Sequence, residues 1–123
     1  MAGKSIPLDP AFVERQRKRL LDLRAQIGQG DDARAAEARS LQEERGGEAQ
    51  EYEERAQDLE KKEIYQGLHE VDQRRLENIT RALQKIEDGT YGRSDVSGAA
   101  IPEARLLANP EATRTAEEER AVE

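Results

Sequence analysis

Apolar residues in this chain recur at helical spacing. Phe12, Leu20, Leu23, Ile27, Ala38 and Leu41 fall within about 80° of one another at roughly 100° per residue, a narrow stripe. Pro7-Leu8-Asp9-Pro10 precedes it, with Asp9 able to cap a helix and Pro10 suited to its first turn. Gly28, Gly30 and Asp31-Asp32 interrupt the pattern and predict that the helix loosens there. Gly46-Gly47 is the stronger break, since each glycine costs about 1 kcal/mol inside a helix and a pair suits a turn. A second run, from near Glu51 to about Glu87, carries Ile64, Leu68, Val71, Leu76, Ile79, Leu83 and Ile86 over a stripe about 140° wide. Its last four apolar residues alternate three- and four-residue steps, as a coiled-coil seam requires. Asp88-Gly89 ends it, glycine being suited to the left-handed conformation past a helix C-terminus. Two long helices with one stripe each and a short connection predict an antiparallel hairpin over residues 1–88, its tip at about 46–56.

Residues 89–112 change character. Gly89, Gly92, Gly98, Pro102 and Pro110 punctuate them, which predicts a compact, turn-rich knob rather than a helix. The Ala- and Glu-rich stretch from about Thr113 to Glu123 predicts a short C-terminal helix or, failing that, a frayed tail. The expected fold class is all-α: a long antiparallel coiled-coil hairpin (1–88), then a small globular knob and short helix (89–123).

Composition excludes a thick core and leaves two readings, an elongated helical protein with a narrow apolar seam or partial disorder. The 123 residues are one domain's length, 38% charged, with one Phe, three Tyr, no Trp and no Cys; large apolar side chains supply most burial free energy, and few are present. The missing cysteines exclude a disulfide-stapled domain, a Cys-based zinc site and a cysteine nucleophile. No apolar run approaches the roughly 20 residues that span a bilayer, and Met1-Ala2-Gly3-Lys4 does not begin a signal peptide. A cytoplasmic protein without membrane contact is expected.

The net charge of −7 resides entirely in residues 49–123. An acidic chain is poorly suited to wrapping nucleic acid, which relies on Lys and Arg. Even Arg15, Arg17, Lys18 and Arg19 sit among helix formers and read as a solvated helix face. No sequence-specific DNA contact is expected. Catalysis has little to work with: His69 is the only histidine, no triad can be assembled around it, and the glycines lack the spacing of a phosphate loop. No enzyme and no cofactor is expected. Acid concentrates over residues 43–63, where Glu43, Glu44, Glu48, Glu51, Glu53, Glu54, Asp58, Glu60 and Glu63 face Arg45, Arg55, Lys61 and Lys62. Such carboxylates suit a helix N-terminus. Where the hairpin turns, they also make a charged tip able to contact Mg²⁺ or basic groups.

Ile86-Glu87-Asp88-Gly89-Thr90-Tyr91-Gly92, then Gly98, Ile101-Pro102-Glu103-Ala104-Arg105-Leu106 and Pro110-Glu111-Ala112-Thr113, resemble the globular end of the DksA/TraR transcription factors. The architecture matches over roughly residues 10–120. In that family the knob is a four-cysteine zinc finger on a coiled-coil hairpin that enters the secondary channel of bacterial RNA polymerase. The resemblance puts the cysteine positions on Ser94, Ser97, Thr115 and Glu118. Zinc prefers thiolate and imidazole ligands, so no structural metal is expected. A structural zinc supplies on the order of 10 kcal/mol, which packing of Tyr91, Val96, Ile101, Leu106 and Leu107 would have to offset.

A gapless count back from Ser94 puts the family's Asp-x-x-Asp-x-Ala tip motif on Glu51-Tyr52-Glu53-Glu54-Arg55-Ala56. The resemblance implies that Glu51 and Glu54 face the polymerase active centre, with Arg55 and Ala56 completing the contact. It puts the family's basic ppGpp-binding positions on Asn78, Asn109 and Glu119, which lack attraction for a polyphosphate. The expected function is a zinc-free, ppGpp-independent regulator of initiation, acting as a monomer on RNA polymerase. The alternative is a helical-hairpin adaptor repurposed for a different protein partner.

Overall fold

The computed structural model describes residues 8–45 and 52–122, the side chains of 41–45 and 52–53 excepted. Four helices follow in order: α1 (Pro10–Arg45), α2 (Tyr52–Asp88), α3 (Glu103–Ala108) and α4 (Ala116–Val122). The first two form the antiparallel coiled-coil hairpin, and the remainder is a small domain. Among the described residues there is no strand, only an isolated antiparallel bridge between Arg93 and Ala100. No described helix is long and apolar enough to cross a membrane.

Asp9 caps α1 as expected: its Oδ1 accepts from the Ala11 amide at 3.1 Å, and its carbonyl from Val13 at 3.0 Å. The expected loosening at Gly28 and Gly30 does not occur, and α1 runs unbroken to Arg45. Two interior glycines cost about 1 kcal/mol each. In the next turn, however, Asp31 and Arg34 bond to His69 and Asp72 of α2 and tie the helix down. The Gly46-Gly47 turn lies outside the described residues. α2 ends as expected at Gly89, φ 79°: Thr90 N–H bonds the Lys85 carbonyl at 2.8 Å and Gly89 N–H that of Ile86 at 3.3 Å, the paired bonds of a Schellman cap.

The chain divides into two compact units, one of Ala25–Arg74 and one joining the chain up to Arg24 with Arg75–Glu123. The second unit holds the core: Phe12, Leu20, Ile79, Ala82, Tyr91, Ile101, Leu106 and Ala112 are buried. Gly92 shows how tight it is, since a Cβ there would stand 2.7 Å from Leu8 Cδ1, and its φ is 88°. Two expected packing residues are not part of it, as Val96 and Leu107 are exposed. Nor is 89–112 free of helix: Pro102 precedes α3, and its carbonyl accepts from Arg105 and Leu106 at 3.0 and 3.2 Å. That short helix buries Leu106 and turns the adjacent Leu107 to solvent.

Gln16, a polar residue at the centre of the unit, is 1% exposed. Its Nε2 donates to the Tyr91 hydroxyl at 3.1 Å and the Leu106 carbonyl at 2.7 Å, while Oε1 accepts from Arg19 at 2.9 Å. Tyr91 in turn donates to the Pro110 carbonyl at 2.8 Å. Every polar atom of this chain of contacts thus has a partner, as burial demands. Burial also pushes the Tyr91 hydroxyl pKa up.

In the Ala25–Arg74 unit the seam is polar. Ile64, Leu68 and Val71, expected to face α1, are 60%, 43% and 50% exposed. α2 instead directs His69 and Asp72 at charged groups of α1. His69 Nδ1 lies 2.9 and 2.8 Å from the two Asp31 oxygens, and Arg34 pairs with Asp72. On this stretch α1 presents Asp31, Arg34, Ala35 and Ala38, and these bound an open cleft of about 350 Å³ together with Lys62, Tyr65, Gln66 and His69. Small and charged side chains offer little apolar surface to Ile64 or Leu68, whereas the charges do best where they meet partners.

Candidate functional site

The four positions matched to the finger's cysteines come together as a hydrogen-bonded clasp. Ser94 opens a turn in which its Oγ accepts from the amides of Val96 and Ser97 at 3.0 and 3.2 Å. Backbone bonds Ser94 N–H to Ala99 O (2.8 Å) and Gly98 N–H to Ser94 O (2.9 Å) close the loop. The buried Ser94 hydroxyl then donates to Glu118 Oε1 at 2.5 Å.

Thr115 precedes α4 and Glu118 is that helix's third residue. Glu118 Oε1 accepts from the Thr115 amide at 2.8 Å, and Thr115 Oγ1 from the Glu118 amide at 3.2 Å. This reciprocal pair is a capping box. One carboxylate therefore starts α4 and fastens it to the finger loop. Bonds from Ser94, Ser97 and the Thr115 backbone hold the Glu118 carboxyl down to about 2. Three hydroxyls and one carboxylate, already spent on one another, do not fit zinc. Among the described residues no group of three His, Cys, Asp or Glu is placed to hold a metal.

A second set of contacts locks the loop to α2, and the sequence reading missed it. Arg81 forks onto Asp95, Nε and Nη2 each at 2.9 Å. Lys85 Nζ, with its side chain 3% exposed, reaches Asp95 Oδ1 at 2.6 Å and also donates to the Arg93 carbonyl. Asp95 N–H meets the Thr113 carbonyl at 2.8 Å. Arg81 chiefly, then Lys85, holds the Asp95 carboxyl down to about 2. A signal was present: Lys85 falls in helical register with Ile79, Ala82 and Ile86, and a cation on an apolar row implies a buried anion.

Both carboxyls are depressed from ordinary values of 3.8 and 4.5, so their contribution to stability is complete above those values and disappears as pH falls towards 2. The stability advantage of the wild type over Glu118→Gln is accordingly expected in full at pH 6 and mostly lost at pH 2. Urea unfolding at the two pH values checks this; an advantage undiminished at pH 2 would contradict the clasp.

At the other expected site, Glu51 lies outside the described residues. Glu54, Arg55 and Ala56 stand on the first turn of α2, all exposed. Of the positions matched to the ppGpp site, Asn78 is exposed, Asn109 caps α3 through its amide on the Arg105 carbonyl, and Glu119 pairs with Arg114 at 3.6 Å.

No family model matches the sequence. General stress protein 16O of Bacillus subtilis (strain 168) is 47% identical over 58 residues, 47% of this chain. That match spans only 36% of the relative's own length. An uncharacterized protein of Aquifex aeolicus (strain VF5) is 33% identical over 106 residues, 84% of this chain and 70% of the relative. Among solved structures, transcription factor DksA2 from Pseudomonas aeruginosa superposes with a TM-score of 0.74 at 26% identity, covering 92% of this chain and 84% of that one. The RNA polymerase binding protein and transcriptional regulator Dks from Chlamydia trachomatis L2 gives 0.59 at 26% identity, covering 94% and 92%. With the hairpin, the finger-like domain and its loop all retained, and no cysteine anywhere in the sequence, the chain belongs to the DksA-like family as a degenerate member without the zinc-finger cysteines.

Proposed function

We infer that this protein is a transcription regulator that binds bacterial RNA polymerase through the secondary channel and modulates initiation, without zinc and without ppGpp. The observation that carries the reading is the fold shared along more than nine-tenths of the chain with DksA2 and with Dks, the latter a polymerase-binding protein. The acidic start of α2 supports it. Glu51 and Glu54 repeat the family's carboxylate spacing, and Glu54, Arg55 and Ala56 are exposed for contact. A carboxylate near the polymerase's catalytic Mg²⁺, or against a basic loop, changes open-complex lifetime through charge and catalyses nothing itself. The partner is a protein, in keeping with a net charge of −7. Asn78, Asn109 and Glu119 offer no cation to an alarmone.

The test is binding of the purified protein to bacterial core polymerase, with promoter transcription run beside it, with and without ppGpp. Wild type is expected to bind and to alter transcript yield equally in both conditions. Glu51→Lys/Glu54→Lys is expected to lose about tenfold or more of the transcriptional effect. Failure of a folded, helical sample to bind at micromolar concentration sinks this reading and favours the adaptor.

A further inference from the structure

Where α1 and α2 pack in the unit that joins the chain up to Arg24 with Arg75–Glu123, the finger-like domain fills the groove on one side of the pair. Gln16 of α1 reaches Tyr91 and Leu106 there, and Lys85 of α2 reaches Arg93 and Asp95. On the other side of the pair lies an open groove of about 300 Å³. Its α1 wall is Arg17, Leu21 and Arg24, and its α2 wall includes Thr80, Leu83 and Glu87. At roughly 100° per residue Lys85 stands about 140° round α2 from Thr80, so the two grooves are distinct. The walls follow i, i+4, i+7 and i, i+3, i+7 spacing, the pattern that two helix edges offer to a third helix. Leu21 and Leu83 are half-buried and make an apolar floor. The helices being antiparallel, Glu87 stands at the Arg17 end and Thr80 at the Arg24 end. Arg17 lies 3.5 Å from Glu14, whereas Arg24 is exposed and makes no ion pair among the described residues.

We propose that this groove docks an acidic amphipathic helix of a partner protein, which completes a three-helix bundle. The charge complementarity is local. Residues 10–24 carry Arg15, Arg17, Lys18, Arg19 and Arg24 against only Glu14 and Asp22, in a chain of net charge −7. Arg17 and Arg24 are seven residues apart, about 10.5 Å along α1, so carboxylates seven apart on the incoming helix meet both. Apolar residues three and four positions after the first carboxylate then lie on Leu21 and Leu83. Glu87 offsets the charge of Arg17, so Arg24 supplies most of the attraction, with the Thr80 hydroxyl a second donor at that end. Nucleic acid fits the groove less well, since a phosphate strand gains nothing from a leucine floor and is repelled by Glu87. The contact spans about two turns and is smaller than a standard interface of roughly 1,600 Å², so binding is weak and reversible, with Kd on the order of tens of micromolar.

Fluorescence anisotropy tests this, with the full chain and a labelled, capped peptide of about three heptads carrying Leu at a and d and Glu at e and g. Saturable binding is expected, with Kd on the order of tens of micromolar. Arg24→Glu is expected to weaken it about tenfold and Arg17→Glu about threefold, while Glu87→Gln should tighten it about twofold. Arg15→Glu, about 160° round α1 from Arg17, should change it less than about twofold. Arg24→Glu should not weaken binding of the same peptide with Lys at e and g, whose charge that arginine opposes. No saturable binding at about 200 micromolar, equal losses from Arg15→Glu and Arg24→Glu, or a DNA duplex bound through Arg17 and Arg24 in place of the peptide would each overturn the proposal. Circular dichroism confirms that each variant is helical.

Discussion

Replacing Asp95 with alanine is expected to destabilise the finger-like domain by about 3–5 kcal/mol, the usual consequence of stranding a buried charge. Lys85 is the reason. Its ammonium is out of water, and among the described residues Asp95 is the carboxylate it pairs with, at 2.6 Å. Without that group Nζ keeps only the Arg93 carbonyl, and the fork from Arg81 loses both acceptors. The pair itself need contribute little relative to an apolar replacement, since desolvating two ions is expensive. Removing Lys85 as well should therefore recover much of the loss: Lys85→Met/Asp95→Ala is expected to regain at least about half of it. Urea unfolding of the two single variants and the double closes the cycle. An Asp95→Ala loss below about 1 kcal/mol would mean that the pair is solvated like a surface ion pair.

Leu20→Ala is expected to cost about 2–5 kcal/mol, the range for emptying a fully buried leucine position. Leu20 has no exposed surface, and neither do Ile79, Ala82 and Leu106 in the same unit. The core has few large residues to move into the space, which favours the upper part of that range. Leu20→Met, nearly equal in volume, should cost less than about 1.5 kcal/mol. The loss should appear as a lower urea midpoint at unchanged slope. An unchanged midpoint would mean that the apolar seam does not hold α1 in place.

Both changes fall in the same compact unit of the molecule. The resemblance implies that elsewhere in the family a metal ties the finger together. Here Glu118 caps α4 and bonds Ser94, while Asp95 ties the loop to α2. The restraint here is a set of modest hydrogen bonds, which explains the expected acid sensitivity: carboxyls held near 2 lose their role when protonated.

Much of this was legible in the chain. Helical spacing of Phe12, Leu20, Ile79 and their neighbours determined two long helices; Asp9 and Gly89 determined where α1 begins and α2 ends. These are local effects of cap, turn and period, and each acts within a few residues. The resemblance also located Ser94, Ser97, Thr115 and Glu118, but not what they do. Tertiary structure alone decided that they bond one another, that Gln16 occupies the core, and that Asp95 answers Lys85. It also left Ile64, Leu68 and Val71 exposed and joined His69 to Asp31 instead. The period of a stripe says that apolar residues share a face. Whether that face is buried depends on what the opposing helix presents, and here α1 presents charge and alanine.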